Sequence, residues 1–284
     1  MILKTTLLTA LFALATPSFL SAEILFGVTT ENELVQFDSA APGTFTSTVA
    51  ITGLRASNGV TPDPSGSISE LTYNPENNKF YGIDGNANLY TIDRVSGLAT
   101  FVSSSLNPSG FAAGLAYDPF EQNLRFVTDA AENYSITLGG TVTTGDDVFF
   151  APGDANAAVA PQFFGIAIDR DFGTGFAIDA NLGILARTLE GAFDEFFTIG
   201  GLGIAISEFG ALEILSDGRL LASLSTDGLT SSLYLIDTTS GQATEVGAFS
   251  TGVGAMAVPE PSTYALLVGG ALCFFVFRRR RHAA

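Results

Sequence analysis

The chain has 284 residues with 31 glycines, 24 phenylalanines and no tryptophan, and its formal net charge at pH 7 is −17. The single cysteine, Cys273, and the single histidine, His282, lie near the C-terminus, so residues 23–257 contain neither. Within 23–257 this excludes disulfides, zinc or haem ligation by Cys or His, and Ser-His-Asp or Cys-His nucleophilic chemistry.

The middle of the chain is strongly acidic. Residues 23–257 hold 7 basic and 28 acidic side chains, a net charge of 7 − 28 = −21. The charged residues outside this region are Lys4, Glu260 and the four arginines at 278–281. This field repels nucleic acid and anionic membranes, so we exclude both as electrostatic partners of this region. Chemistry by paired carboxylates is the enzymatic class that the composition leaves open.

The first 22 residues are typical of a secretory signal peptide. Lys4 supplies the positive charge and residues 7–14 supply the apolar region. Ser21 and Ala22 are the small residues that precede a cut at Glu23. We therefore expect export through the inner membrane, with residues 23–257 forming the folded domain.

The folded domain is internally repetitive. Residues 89–100 and 233–244 share the pattern Leu-Tyr-x-Ile-Asp, followed by Ser-Gly and Ala-Thr, and start 233 − 89 = 144 residues apart. The pattern predicts a strand, a tight turn and a second strand. Asp93 and Asp237 are expected to cap the turn by accepting hydrogen bonds from the following backbone, with Gly97 and Gly241 at positive φ.

Weaker copies lie between these two and before them. The steps from Tyr90 to Tyr134, Leu185 and Tyr234 are 44, 51 and 49 residues, and a degenerate copy stands at 34–38. About four short strands per unit of this length are typical of a propeller blade. The predicted fold is all-β, a β-propeller of about five four-stranded blades. A prism or solenoid of short strands is the structural alternative.

These recurring motifs, with the Tyr-(Asn/Asp)-Pro turns at 73–75 and 117–119, resemble an uncharacterised bacterial family of exported propeller-like domains. The resemblance spans roughly residues 24–249. It implies the fold alone, because that family carries no established activity or catalytic residues.

Two loops rich in small and polar residues, 58–69 and 146–162, are the expected binding face. Asp169 and Asp171 are spaced with glycines as in loops that hold Ca²⁺, and Asp146, Asp147 and Asp154 form a second weak cation candidate. A plain turn between strands is the competing interpretation of the first group. Exposure to water explains the second group equally well.

Repeated acids and aromatics favour architecture over chemistry. Aspartate follows isoleucine at Asp84, Asp93, Asp169, Asp179 and Asp237, and tyrosines recur at matching positions. Converging carboxylates would suit glycoside hydrolysis, and tyrosines could stack on sugars. A catalytic pair is needed once, however, whereas a turn or packing residue is needed in every blade.

The last 27 residues form three blocks. Residues 264–277 are an uncharged apolar run that would span roughly 21 Å as a helix. A polar motif precedes this run, and a basic cluster follows it. The positive-inside rule keeps the basic cluster in the cytoplasm. The motif, within 258–263, is Val258, Pro259, Glu260, Pro261 and Ser262, and the cluster is Arg278, Arg279, Arg280 and Arg281.

This order of blocks resembles the PEP-CTERM sorting signal of Gram-negative bacteria that make extracellular polysaccharide. The resemblance implies recognition by an exosortase, a membrane transpeptidase-like enzyme, with cleavage near the motif. It also implies a precursor held transiently in the inner membrane by 264–277. An ordinary single-pass anchor is the alternative.

The expected function is non-catalytic. We expect a structural or binding component of the cell surface or of an extracellular polysaccharide matrix, with no cofactor. The alternatives are a carboxylate-based polysaccharide hydrolase or lyase and a Ca²⁺-dependent adhesin.

Overall fold

The structure is a computed structural model that describes residues 22–189, 191 and 193–259. The strands group into five sheets. Blade one holds β1 (Ile24–Thr29), β2 (Glu33–Asp38) and β3 (Ala41–Ala50). Blade two holds β4 (Ile68–Asn74), β5 (Lys79–Asp84), β6 (Leu89–Ile92) and β7 (Ala99–Ser103). Blade three holds β8 (Ala112–Asp118), β9 (Asn123–Thr128), β10 (Asn133–Thr137) and β11 (Val142–Thr144).

Blade four has one strand more than the others. It holds β12 (Phe149–Phe150), β13 (Phe163–Ile168), β14 (Gly175–Asp179), β15 (Ile184–Thr188) and β16 (Glu195–Gly201). The short β12 comes from the 146–162 loop and runs parallel to β16 on the outer edge. Blade five holds β17 (Gly210–Ile214), β18 (Leu220–Leu224), β19 (Ser232–Ile236) and β20 (Ala243–Ala248).

The ring is closed by the C-terminal strand. β21 (Val253–Ala257) pairs with β1 and becomes the innermost strand of blade one. β4, β8, β13, β17 and β21 then lie side by side around a central axis. We call the end where these five strands begin the upper end, and the end where they finish the lower end. The expected five-bladed propeller is confirmed, but the sequence patterns did not reveal that blade one is shared between the two ends of the domain.

The core lies between adjacent blades. Five clusters of buried apolar side chains each combine residues of two neighbouring blades. Phe80 packs toward blade one, whereas Tyr81 and Ile83 on the same strand pack toward blade three. This alternation gives each sheet two apolar faces, as stacked blades require.

The turns at the lower end have the expected geometry. Asp93 Oδ1 accepts hydrogen bonds from the backbone N–H groups of Val95 and Ser96, at 3.1 and 2.8 Å. Asp237 does the same in blade five, and Gly97 and Gly241 have φ of 69° and 80°. These aspartates therefore shape turns, as predicted.

The predicted signal peptide, apart from Ala22, and the predicted segment 264–277 with its arginines lie outside the described residues. Within residues 22–259 as described, no helix is long and apolar enough to cross a membrane.

Candidate ligand-binding cavity and sorting junction

A cavity opens at the upper end of the central axis, where the innermost strands begin. Its volume is about 420 Å³, within the range of roughly 300–1,000 Å³ typical of small-molecule sites. All five blades contribute to its wall. The main lining residues are Thr30, Ser69, Glu70, Phe111, Asp129, Gln162, Phe164, Glu208, Phe209 and Gly254.

Glu70 breaks the repeat. It lies on β4, opposite Ile83 of β5. The residues that match it in the other blades are all small. Gly114, Ala211 and Ala255 match it by strand pairing. Gly165, which is unpaired at a bulge of β13, matches it by its distance from the lower turn. A residue needed for shape recurs in every blade, so a glutamate that occurs once is the strongest candidate for a ligand contact.

The small residues are needed because neighbouring innermost strands approach closely. A Cβ atom at Gly114 would lie 2.9 Å from the backbone nitrogen of Ile166, and one at Gly165 would lie 2.8 Å from that of Leu212. Both distances are too short for real side chains. Blade two accommodates a glutamate where the other blades tolerate at most a methyl group.

The environment of Glu70 favours its neutral form. The residue is 8% exposed. Burial raises the pKa of Glu70 to about 8, and a hydrogen bond from the backbone N–H of Leu115 on β8 opposes that rise. At neutral pH the carboxyl group is therefore mostly protonated and can donate an O–H to a ligand.

Aromatic rings and two further acids form the rest of the mouth. Phe111 is 80% exposed, and its backbone N–H donates to Asp129 Oδ1 at 2.7 Å. Phe209 and Glu208 face it from blade five. None of the described lining residues is basic. The cavity thus combines apolar ring faces with hydrogen-bonding acids in a negative field.

Buried aspartates fix the loops around this mouth. Asp84 Oδ2 accepts hydrogen bonds from Tyr90 Oη at 2.9 Å and Asn88 Nδ2 at 3.0 Å, and Tyr90 Oη accepts the Arg55 backbone N–H at 2.8 Å. In blade four, Asp179 Oδ2 accepts the backbone N–H of Gln162 at 2.9 Å. The two loops singled out from the sequence therefore end at the cavity. Asp179 holds the last residue of the 146–162 loop, and the Asp84 network holds Arg55, which precedes the 58–69 loop.

The first cation candidate is a turn. Asp169 Oδ1 accepts the backbone N–H groups of Asp171 and Phe172, at 2.8 and 3.2 Å, in the lower turn between β13 and β14. Asp171 is exposed on the same turn. This geometry is that of the turn between strands that the sequence left as the competing interpretation.

The second candidate lies along the outer edge of blade four. Asp146 and Asp147 are exposed and precede β12. Asp154 accepts hydrogen bonds from the backbone N–H of Thr198 at 2.7 Å and from the Thr198 hydroxyl at 2.8 Å. The structure does not bring the two groups of aspartates together. No cluster of three metal-ligating acids, histidines or cysteines occurs among the residues that the structure describes.

The tyrosines considered for sugar stacking are all buried between blades. Their exposed fractions do not exceed 8%, the value for Tyr234. Blade packing accounts for them. The exposed aromatic of the cavity is Phe111, which the repeat patterns did not highlight.

The sorting motif begins inside the folded domain. Val258, which directly follows β21, is 5% exposed and packs in the cluster between blades five and one. Pro259 is the last described residue and is partly exposed. Glu260, Pro261, Ser262 and the arginine cluster lie outside the described residues. The propeller and the sorting motif are therefore joined without a linker.

Comparison with known proteins agrees with this junction. Residues 33–258 match a family described as a domain of unknown function, DUF4394. The chain belongs to this family. Residues 257–281 match the PEP-CTERM protein-sorting motif, so this DUF4394 protein is an exported protein that an exosortase processes, anchored in the membrane before cleavage. The two matched regions overlap at residues 257–258.

A solved structure supports the fold of the DUF4394 domain. The chain is similar to one in a crystal structure of a nidogen/laminin complex, with 12% identity, a TM-score of 0.52 and coverage of 84% of this chain and 99% of that chain. It also matches virginiamycin B lyase from Staphylococcus aureus, with 13% identity, a TM-score of 0.45 and coverage of 82% and 71%. No curated protein matches the chain.

Proposed function

We propose that the mature protein is a non-catalytic binding component of the cell surface or extracellular matrix, with its ligand site in the cavity at the upper end. The observation that carries this proposal is Glu70, a buried acid at a position where the four other blades have glycine or alanine. All five blades contribute to the cavity, so an intact ring is needed to form it.

The chemistry of the cavity favours a neutral, hydroxylated ligand such as a segment of extracellular polysaccharide. Glu70 in its protonated form and the carboxylates of Asp129 and Glu208 can donate to and accept from hydroxyl groups. The exposed ring of Phe111 offers an apolar face for the C–H face of a sugar. A polyanionic ligand is disfavoured, because no described basic residue lines the cavity.

Calorimetric titration of the fragment 22–259 with neutral oligosaccharides from the extracellular polysaccharide tests this proposal. The fragment contains all five sheets and their core clusters. Phe111→Ala and Glu70→Ala should each weaken binding at least tenfold. Phe172→Ala is the matched control, since Phe172 is 82% exposed at the lower end.

Two results would contradict the proposal. One is saturable binding that is unchanged in both cavity variants. The other is equal weakening by Phe172→Ala, which would indicate contact with exposed aromatics in general. Glu70→Ala is a suitable variant because alanine occupies the matching position in blades five and one, where the ring forms normally.

A second candidate, a carboxylate-based polysaccharide hydrolase or lyase, is favoured by one observation. Glu70 has a raised pKa, and Asp129 and Glu208, which also occur once, line the same cavity. A protonated acid that shares a cavity with other carboxyl groups is what general acid catalysis by a carboxyl pair needs. Release of reducing ends or unsaturated sugars that Glu70→Gln and Asp129→Asn both abolish would establish this activity and overturn the non-catalytic proposal.

A further inference from the structure

Both ends of the described chain leave the propeller at its lower end. β1 and β21 are antiparallel neighbours, and Phe26 pairs with Ala257. The backbone N–H of Glu23 donates to Ser39 Oγ at 3.0 Å, which fixes the entering chain beside the turn between β2 and β3. The chain therefore enters and exits at adjacent points of one face, opposite the cavity.

The membrane segment follows within a very short distance. From Pro259 to Tyr264, where the apolar run begins, there are five steps along the backbone, at most about 18 Å when fully extended. While residues 264–277 are in the bilayer, the lower end cannot move farther from the membrane than this tether allows.

Two exposed aromatic side chains protrude from the same end. Phe120 and Phe172, at the tips of the β8–β9 and β13–β14 turns, are 59% and 82% exposed. They are neighbours, since a Cβ atom at Gly173 would lie 3.3 Å from the Phe120 ring. Blades three and four, which carry them, stand across the ring from blade one, where the tail leaves.

We infer that, in the anchored precursor, the lower face rests on the lipid bilayer, with Phe120 and Phe172 at the membrane interface. The tail holds one side of the face and the aromatic pair contacts the lipid on the other. Aromatic side chains are favoured at the boundary between headgroups and hydrocarbon. The cavity then points away from the membrane, open to ligand before processing is complete.

Basic side chains are concentrated at the lower end, although that end also carries the turn aspartates and the domain as a whole is acidic. Arg55 is the only basic residue in the loops of the upper end, all of which the structure describes. Lys79, Arg94, Arg170 and Arg219 lie in or beside the lower turns. A net charge of 7 − 28 = −21 for residues 23–257 opposes adsorption of a free domain. The tether is therefore what brings the lower end to the lipid.

Site-specific fluorescence on the full chain tests this inference. In a Cys273→Ala background, an environment-sensitive dye is placed at Phe172→Cys, or at Phe111→Cys as the upper-end control. The chain is reconstituted into vesicles of phosphatidylethanolamine and phosphatidylglycerol (3:1) that carry a lipid-bound quencher. The dye at 172 should be quenched at least threefold more than the dye at 111.

Two further measurements complete the test. Phe120→Cys repeats the measurement at the neighbouring tip, and circular dichroism verifies that each variant is folded. The fragment 22–259, added to the same vesicles, should show no quenching at 172. Equal quenching at the two ends, or stronger quenching at 111, in the full chain would overturn the inference. Because this test includes no polysaccharide, its outcome is independent of the proposed ligand.

Discussion

The carboxyl group of Glu70 accepts a hydrogen bond from the backbone N–H of Leu115, across the boundary between blades two and three. Two residues along β4, Thr72 Oγ1 accepts the backbone N–H of Tyr117 at 3.1 Å. Side chains of one innermost strand thus satisfy backbone donors on the edge of the next. Thr72 is a neutral group in this role, whereas Glu70 makes the boundary sensitive to pH.

The stability of the propeller should fall as pH rises through the titration range of Glu70. The pKa of Glu70 is raised from 4.5 to about 8, so between these values the folded state binds more protons than the unfolded state. Unfolding free energy should decrease by up to ~1.4 kcal/mol per pH unit from this group. Urea titrations between pH 5 and 9 measure this slope, and Glu70→Gln should remove it. Parallel curves for the two proteins would contradict the raised pKa.

Closure by β21 should depend on a buried hydroxyl group. Ser223 Oγ donates to the carbonyl oxygen of Val253 at 2.6 Å, joining blade five to the closing strand. Ser223→Ala should lower the unfolding free energy by about 1–2 kcal/mol and speed hydrogen exchange in β21. Ser216→Ala, in an exposed lower turn, is the control. If both variants unfold at the same urea concentration, this bond does not help to hold the ring closed.

Substitutions at two glycines distinguish the energetic cost of backbone strain from that of a steric collision. Gly241 and Gly218 both have positive φ, 80° and 84°. A Cβ atom at Gly241 would collide with the carbonyl oxygen of Gly200, whereas nothing lies within 4 Å of one at Gly218. Gly218→Ala should cost about 1 kcal/mol from strain alone. Gly241→Ala adds overpacking against the facing backbone to the same strain and should cost ~3 kcal/mol or more, as measured by thermal melting. Equal costs would show that contact between blades four and five does not constrain this turn.

The repeat made the blade architecture predictable, because local signals fix each hairpin. Asp93, Gly97, Asp237 and Gly241 are turn residues with a defined backbone role, and they occur where the structure has turns. Closure of the ring was not predictable in this way. Val253–Ala257 is a short apolar strand whose partner, β1, is more than 200 residues away, and no local pattern records such a pairing.

The cavity was only partly predictable. Its two long loops are recognisable by composition, but Glu70 does not stand out, because the repeat patterns emphasise residues that recur. The signal was present in the aligned repeats, as an acid where the other innermost strands carry glycine or alanine. Phe111 gave no signal, since exposure depends on the packing of loops from different blades.

Calcium should not bind to the turn at Asp169. Oδ1 of Asp169 is engaged by backbone N–H groups, and Asp154 is engaged by Thr198. We therefore expect neither heat nor a change in melting temperature when Ca²⁺ or a chelator is added to the 22–259 fragment. A saturable heat that Asp169→Asn or Asp154→Asn abolishes would instead support a Ca²⁺-dependent adhesin.

The most direct test of the whole account is the intact mass of the mature protein from wild-type cells and from cells that lack the sorting enzyme. We predict a wild-type polypeptide that begins near Glu23, retains Val258 and ends before Tyr264, while the deficient cells retain the arginine cluster. A wild-type protein that still carries Arg278–Arg281 would show a permanent anchor. One that ends before Val253 would show that the ring does not keep its closing strand.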